Sequence, residues 1–273
     1  MVIINKILDV TNLNFSWGSN EVLKDISFSM KSNEVVAILG INGAGKSTLI
    51  KCLNRILSPK SGDIHIRPHW SNLKETNLIN ISSLDLVEIS KTMSYVPQNV
   101  ATSFPMDVFD VVLLGRKPHL SWRISDEDRD KVSETLRYLN LEDFAFRKFN
   151  QISGGERQRV IIAKAIAQDP NLFLFDEPTS DLDLKNQIQI MKCIRKIIKD
   201  KNNSKSALIA IHDINIAAKY SDKILLLNNG SIMAYGPPSQ VLTEENIAEV
   251  FGVKCSISSV DKHYIRVDVD DEI

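Results

Sequence analysis

The sequence predicts an α/β fold with a mostly parallel sheet, an N-terminal antiparallel β subdomain and an inserted helical subdomain. Short apolar runs, which are typical of buried parallel strands, are separated by helical patterns, as crossover connections require. These runs lie at residues 35–39, 172–175, 208–211 and 223–227. Before them, apolar and polar residues alternate up to a turn at residues 18–20, which predicts an antiparallel hairpin. Between residues 98 and 163 the apolar spacing is helical, so we expect the inserted lobe there.

Length and composition indicate a folded protein without a strong electrostatic bias. The chain has 273 residues, 43% of them apolar, and can bury a large core. Its 33 basic and 34 acidic residues give a formal net charge of −1, so no global positive field indicates nucleic acid as a partner. The three cysteines are widely spaced, and neither a secretory signal nor an apolar stretch of membrane-spanning length is recognisable. We expect a protein of a reducing compartment that works at a membrane only through another chain.

The most informative segment is the loop GINGAGKST at residues 40–48, which directly follows the first apolar run. It matches the GxxxxGK[ST] pattern, in which backbone N–H groups and a helix N-terminus bind phosphate oxygens. In such a loop Lys46 reaches the β and γ oxygens, and the Ser47 hydroxyl ligates Mg²⁺. A turn that only changes the chain direction is the alternative, which the preceding strand and the following helical pattern disfavour. The residues predicted to bind a nucleoside triphosphate are Gly40, Asn42, Gly43, Ala44, Gly45, Lys46, Ser47 and Thr48.

Two adjacent carboxylates end the second apolar run. A strand projects consecutive side chains to opposite sides, so Asp176 and Glu177 have different roles. Beside a phosphate loop, Asp176 would hold Mg²⁺ directly or through water, and Glu177 would polarise the attacking water. An ordinary strand exit is the alternative, and the phosphate loop earlier in the chain favours catalysis.

A second candidate anion site is the Ser-Gly-Gly turn at residues 153–155, which opens a helical segment. Helix N-termini attract anions, although the serine N-cap of an ordinary helix gives the same pattern. One phosphate group needs only one such cradle within a monomer. We therefore expect this turn to close over nucleotide that another subunit holds.

Together these segments resemble the motifs of the ATP-binding cassette (ABC) ATPases. GINGAGKST resembles the Walker A loop, ISGGERQ the family signature, and LFLFDEPTSDLD the Walker B strand with its D-loop. The motifs occur in the family's order and span nearly the whole chain. The one departure in the signature, Ile152 in place of leucine, conserves volume. The resemblance implies a P-loop NTPase (RecA-like) core and an ATPase whose ATP hydrolysis is coupled to transmembrane transport.

The resemblance also implies roles for residues that pattern alone leaves open. Gln98 matches the Q-loop glutamine at the Mg²⁺ ion and the attacking water, and His212 matches the switch histidine at the γ-phosphate. Trp17 matches the aromatic residue that stacks on adenine, although its parity with Phe15 also allows a core position. Asp181 lies in the D-loop, which would bridge the two sites of a dimer.

The complete site implied by the resemblance is shared between two copies of the chain. The residues implied for catalysis are Glu177, His212 and Gln98, and those for Mg²⁺ are Ser47, Gln98 and Asp176. The signature residues implied to contact the partner's ATP are Ser153, Gly154, Gly155 and Glu156. We expect a homodimer, with a dimer of this chain and a very similar one as the alternative, that binds a membrane permease at the cytoplasmic face of the cell membrane. An extracytoplasmic substrate-binding protein would be an indirect partner, and we expect no nucleic acid.

Two local segments narrow the expected function. LLGRKPH at residues 113–119 and the segment at residues 236–253 are similar to cassettes of the iron-siderophore, haem and cobalamin importers. For LLGRKPH, an amphipathic helix that ends at a proline is the alternative. We predict ATP-driven uptake of a metal chelate. The open alternatives are import of another small solute and a non-transport ABC ATPase of translation or DNA maintenance.

We predict one ABC ATPase domain over residues 1–273, with two lobes and a short extension. Residues 1–98 and 167–240 would form the RecA-like and antiparallel β lobe, residues 99–166 the helical lobe and residues 241–273 the C-terminal extension. Residues 67–77 are interpreted as a surface insertion and the acidic C-terminal end as solvated. No cysteine or acidic ligand set accompanies His65 and His69, so we predict no metal there.

Overall fold

Three sheets and their covering helices make up the part of the chain that the computed structural model describes. These are residues 6–71, 78–98, 105–120, 122–180, 182–200, 204–259 and 264–273. The strands are β1 (Lys6–Trp17), β2 (Asn20–Lys31), β3 (Val35–Leu39), β4 (Ser61–Ile66), β5 (Ile79–Asn80), β6 (Met93–Val96), β7 (Leu172–Asp176), β8 (Ser206–Ala210), β9 (Lys223–Asn228), β10 (Ser231–Gly236), β11 (Val253–Ser259) and β12 (Ile265–Glu272). The helices are α1 (Lys46–Leu53), α2 (Leu86–Thr92), α3 (Val108–Leu113), α4 (Asp126–Tyr138), α5 (Gly154–Ala167), α6 (Leu184–Ile198), α7 (Ile214–Tyr220), α8 (Pro238–Val241) and α9 (Glu244–Phe251).

The central sheet has the strand order β10-β9-β3-β8-β7-β6. Every neighbouring pair in it is parallel except β10 with β9. All residues of β3, β7 and β8 are buried, which explains their continuous apolar runs. The predicted α/β class with a mostly parallel sheet is confirmed. Because the strands are parallel, the segments that follow β3, β6, β7 and β8 meet at one edge of the sheet.

Alternate residues of the central strands pack into two separate cores. On β7, Phe173 and Phe175 enter the core beneath the helical segments, and their rings stack with centroids 5.8 Å apart. Leu172 and Leu174 enter the opposite core, which α1 and the second sheet cover. That second sheet is antiparallel, with the order β2-β1-β4-β5, and it contains the predicted N-terminal hairpin.

The LLGRKPH segment directly follows α3 and packs against the C-terminal end of α5. It continues α3 as a 3₁₀ helix over Leu114–His119, which contains Pro118 and ends one residue after it, close to the alternative of a helix that ends at the proline. Arg116 donates from Nε to Asp128 at 3.0 Å and from a terminal nitrogen to the Ala167 carbonyl at 2.8 Å. Gly115 allows close approach, because a Cβ there would collide with the Lys164 carbonyl.

Replacing Arg116 with methionine is expected to lower the free energy of unfolding by about 3 kcal/mol, because Asp128 then stays buried without its cation. Burial opposes ionisation of Asp128, but hydrogen bonds from Ser125 and Arg116 outweigh it and lower the pKa of the carboxyl group. Urea denaturation measures the loss. Arg123, which is exposed, provides the control Arg123→Met, and equal stabilities of the two variants would contradict the role of the pair.

The acidic C-terminal end and the predicted insertion each contain an ordered segment. Residues 268–272 belong to β12, which pairs antiparallel with β11, and four of these five residues are exposed, as a solvated end requires. The predicted surface insertion begins on buried residues: Arg67 is 3% exposed and donates to Ser32 Oγ at 3.1 Å. Residues 72–77 lie outside the described residues. The lobe boundaries stay a prediction. No helix in the described ranges has the length and apolarity needed to cross a bilayer.

Candidate nucleotide-binding site

The phosphate loop connects β3 to α1 through backbone conformations that need glycine. Gly40 has a φ of +153°, and a Cβ on it would lie 2.6 Å from the Leu227 carbonyl oxygen. Gly45, the N-cap of α1, has a φ of +102°, and its Cβ would lie 2.8 Å from Leu23. The loop therefore curls tightly against β2 and β9, and the N-terminus of α1 faces the cavity described below.

Lys46 closes this loop with its own side chain. Its Nζ donates to the carbonyl oxygens of Gly40 at 2.8 Å and Ile41 at 3.1 Å. Burial lowers the pKa of Lys46, and the nearby carboxylates of Glu177 and Asp176 partly offset this effect. The ammonium group is thus held by neutral carbonyl acceptors, which negatively charged phosphate oxygens can replace as stronger partners.

Ser47 and Asp176 meet beside Lys46 although they are far apart in the sequence. The Ser47 hydroxyl donates to Asp176 Oδ1 at 2.7 Å. Tyr95, on β6, donates to Asp176 Oδ2 at 3.3 Å, and burial together with this carboxylate raises the pKa of the tyrosine. Tyr95 was not among the residues predicted for the site. Its place in the apolar segment directly before Gln98 was the only signal in the sequence that could have indicated it.

The Glu177 side chain contacts residues from two other loops, those that follow β6 and β8. Gln98 donates from Nε2 to its Oε2 at 2.7 Å, and His212 Nε2 lies 2.5 Å from its Oε1. Glu177 is 8% exposed and adopts a left-handed φ of +53°, which costs a non-glycine residue about 1 kcal/mol. This backbone conformation follows the end of β7, beyond Asp176. The structure therefore brings the three residues predicted for catalysis together.

A cavity of about 300 Å³ opens in front of the phosphate loop. Its lining comprises Trp17, Val22, Asn42, Gly43, Gly45, Lys46, Ser47, Thr48 and Glu177. Trp17 is 58% exposed, whereas Phe15, two residues earlier, is 6% exposed. The alternative of a core position for Trp17 is therefore wrong. The strand ends at this residue, and its ring forms a T-shaped pair with the Phe15 ring, with centroids 5.1 Å apart.

The Ser-Gly-Gly turn does not line this cavity. Ser153 is the N-cap of α5 in a capping box, in which its N–H donates to Glu156 Oε2 at 2.7 Å. Hydrogen bonds with Ser153 lower the pKa of the Glu156 carboxyl group. Ser153 and Gly154 are exposed, while Gly155 is buried against Asn186. The turn is thus presented outward from its own chain. Asp181 lies outside the described residues.

The donor set beside Lys46 suits Mg²⁺. The ion prefers hard oxygen ligands in octahedral geometry, in which neighbouring ligands are about 3 Å apart. Ser47 Oγ and Asp176 Oδ1 provide two such oxygens at 2.7 Å, and the amide oxygen of Gln98 could provide a third. Within the described ranges, no group of three or more His, Cys, Asp and Glu side chains could hold a metal ion.

The family follows from comparison with known proteins. The model of the ABC transporter family matches residues 23–180, which include the phosphate loop, the Ser-Gly-Gly turn and both adjacent carboxylates. The chain belongs to the ABC transporter family. The ATP-binding subunits of this family are ATPases coupled to transport, so the predicted ATPase activity and the resemblance stated above are confirmed.

Similar proteins extend over nearly the whole chain. An uncharacterized ABC transporter ATP-binding protein of Methanocaldococcus jannaschii is 46% identical over 93% of this chain and 94% of its own length. The petrobactin import ATP-binding protein of Bacillus subtilis is 33% identical over 95% of this chain and 98% of its own length. A solved structure of a metal-chelate type ABC transporter in an inward-facing conformation superposes with a TM-score of 0.82 at 29% identity, covering 98% of both chains.

Proposed function

We propose that this chain is the ATP-hydrolysing subunit of an importer that takes up a metal chelate through a separate membrane permease. The observation that carries the proposal is the match, over nearly the full length of both chains, to an import ATP-binding protein and to a metal-chelate type transporter. The convergence of Lys46, Asp176 and Glu177 at one cavity supports an ATPase role for this chain itself.

In the proposed mechanism the phosphate loop binds the triphosphate, and Lys46 transfers its hydrogen bonds from loop carbonyls to the β and γ oxygens. Ser47, Asp176 and Gln98 would hold Mg²⁺, which would supply neutralisation of charge on the phosphate oxygens. Glu177 orients the attacking water and accepts its proton at a carboxylate oxygen. His212 and Gln98, which hold that carboxylate in place, are released to contact the γ-phosphate and the water.

The second half of each site comes from a second copy of the chain. Ser153 and Gly154 are exposed and outside the cavity that Lys46 lines, so one chain does not place them on its own nucleotide. In the proposed homodimer the α5 N-terminus of each copy binds the γ-phosphate held by the other. Loss of the terminal phosphate removes this bridge, and the dimer opens.

The dimer acts on the cytoplasmic face of the cell membrane, bound to the permease. In this scheme the permease and an extracytoplasmic binding protein select the cargo. Reconstitution of the chain with its native permease in vesicles tests the proposal. We expect uptake of a metal chelate that depends on ATP and a faster ATPase rate with the permease. Uptake of a different small solute, or recovery with ribosomes or DNA and no permease, would support the alternatives instead.

Trp17→Ala is expected to weaken ATP binding by about tenfold. Stacking on an adenine ring is worth roughly 1–1.5 kcal/mol, and Trp17 is the exposed aromatic residue at the cavity rim. Titration with a fluorescent ATP analogue measures the change. Trp122, also exposed, does not line the cavity, so Trp122→Ala serves as the control, and equal affinities of both variants would contradict the stacking role.

A further inference from the structure

A second cavity, of about 290 Å³, lies where α4, α5 and α6 meet. It shares no lining residue with the cavity at the phosphate loop. Its volume is just below the range for small-molecule sites, roughly 300–1,000 Å³, so it suits a small ligand. Neither the family motifs nor the proposed catalytic cycle uses its lining, so its composition needs a separate explanation.

Three cations line this cavity without a counter-ion. They are Arg159 on α5 and Lys192 and Lys196 on α6, and no carboxylate lines the cavity with them. None of the three takes part in an ion pair of the described residues. The Arg159 Nε atom is buried and has no hydrogen-bond partner within the described ranges. Glu156, one turn before Arg159 on α5, interacts electrostatically with it but does not line the cavity, so the cavity keeps a net positive lining.

Glu156 is held at the N-terminus of α5 by the Ser153 N–H, and three other acidic groups nearby face a different surface. Burial and the nearby Asp200 carboxylate raise the pKa of Tyr138. Asp200, Glu134 and Asp169 line an adjacent groove rather than this cavity. Tyr138 lies between the two, and Lys196 Nζ is 4.5 Å from the centroid of its ring. The separation leaves the cation cluster open to an anion from solution.

The floor of the cavity is apolar. Leu139, Ile162 and Ile190 form it and are almost completely buried, and Cys193 lies beside them. Burial raises the pKa of the Cys193 thiol to about 11, although Lys196 and Arg159 act in the opposite direction. A pocket with a cationic rim and an apolar floor suits a molecule that has an anionic group at one end and an apolar body at the other.

We propose that this cavity binds a small organic anion, such as a phosphate monoester with an apolar body. Arg159, Lys192 and Lys196 bind its charged group, and the apolar body packs on the floor beside Cys193. The ligand contacts α5, which begins at the Ser-Gly-Gly turn, and α6, which follows the segment after Glu177. Occupancy thus joins two helices whose N-terminal ends belong to the proposed ATPase machinery.

Protection of Cys193 from alkylation tests the proposal with the full chain. The other cysteines, Cys52 and Cys255, are buried. Phenyl phosphate is the probe, in the presence of saturating ADP, which occupies the phosphate loop. Mass spectrometry follows alkylation of Cys193 at alkaline pH. We expect phenyl phosphate to slow it in a saturable manner, whereas inorganic phosphate, which lacks the apolar body, and benzyl alcohol, which lacks the charge, protect only at much higher concentrations.

Removing a positive charge at the rim distinguishes specific binding in the cavity from nonspecific protection of Cys193. Lys192→Gln and Arg159→Gln are each expected to raise the half-protecting concentration about tenfold, which is the loss of one charge-assisted contact. Lys185 is exposed on the same helix outside the cavity, so Lys185→Gln should leave it unchanged. No saturable protection, equal protection by benzyl alcohol, or indifference to both rim variants would overturn the proposal. Because no readout depends on ATP hydrolysis, these outcomes are independent of the proposed transport function.

Discussion

Glu177→Gln is expected to slow ATP hydrolysis by about 10²- to 10⁴-fold while ATP binding is retained, because glutamine preserves the shape of the side chain but cannot accept the proton of the attacking water. Its amide oxygen can still accept a hydrogen bond from Gln98 or His212, so the loops that meet at Glu177 stay in place. Phosphate release measures hydrolysis, and titration with a fluorescent ATP analogue measures binding.

The control for this change is an acidic residue that does not line the cavity. Glu127 is exposed in the first turn of α4, and Glu127→Gln removes the same charge from the chain. We expect its hydrolysis rate to match that of the wild type. A Glu177→Gln variant that hydrolyses ATP within a few-fold of the wild-type rate would remove Glu177 from the proposed role of general base.

Gly154→Asp is expected to lower the ATPase rate by roughly 10²- to 10³-fold without loss of folding or of ATP binding, which is the effect of losing one preorganised donor to a reacting oxyanion. A Cβ at Gly154 meets nothing within 4 Å, and the residue is exposed, so the chain itself accommodates the side chain. In the proposed dimer the aspartate would face the partner's γ-phosphate and repel it.

Gly154→Ala and Gly155→Ala make this test specific. The first adds only a methyl group at the open position and should retain most activity. The second places a Cβ 2.8 Å from the end of the Asn186 side chain, so that flexible amide must shift, and the cost in stability should be small. Thermal unfolding distinguishes the two effects. A Gly154→Asp variant with wild-type activity would show that this turn does not approach the nucleotide.

The sequence predicted the parts of the site that depend on local chain geometry. The phosphate loop needs glycine at positions 40 and 45 and a helix that begins at Lys46. These three features lie within one short segment, so the sequence motif alone predicts them. The turn at Ser153 is equally local, since a capping box spans only four residues. Such features do not depend on which strands are neighbours.

Contacts between distant segments could not be derived from the pattern. Ser47 reaches Asp176 only because β3, β8 and β7 are neighbours in that order, and periodicity gives no strand order. Tyr95 was missed for the same reason, since β6 pairs with β7 at the sheet edge. The left-handed conformation of Glu177 was equally unpredictable, because glutamate is not a residue that favours positive φ. Trp17 has the same parity as the buried residues Leu13 and Phe15, but it is the last residue of β1 and is exposed there.

The most direct test of the account is the mass of the Glu177→Gln variant in sedimentation velocity with magnesium and ATP, compared with magnesium and ADP. We predict a dimer with ATP and a monomer with ADP, because only the terminal phosphate bridges Lys46 of one copy to Ser153 of the other. The double variant with Gly154→Asp should remain a monomer with either nucleotide. A Glu177→Gln variant that stays monomeric while ATP is bound would contradict completion of the site by a second copy of the chain.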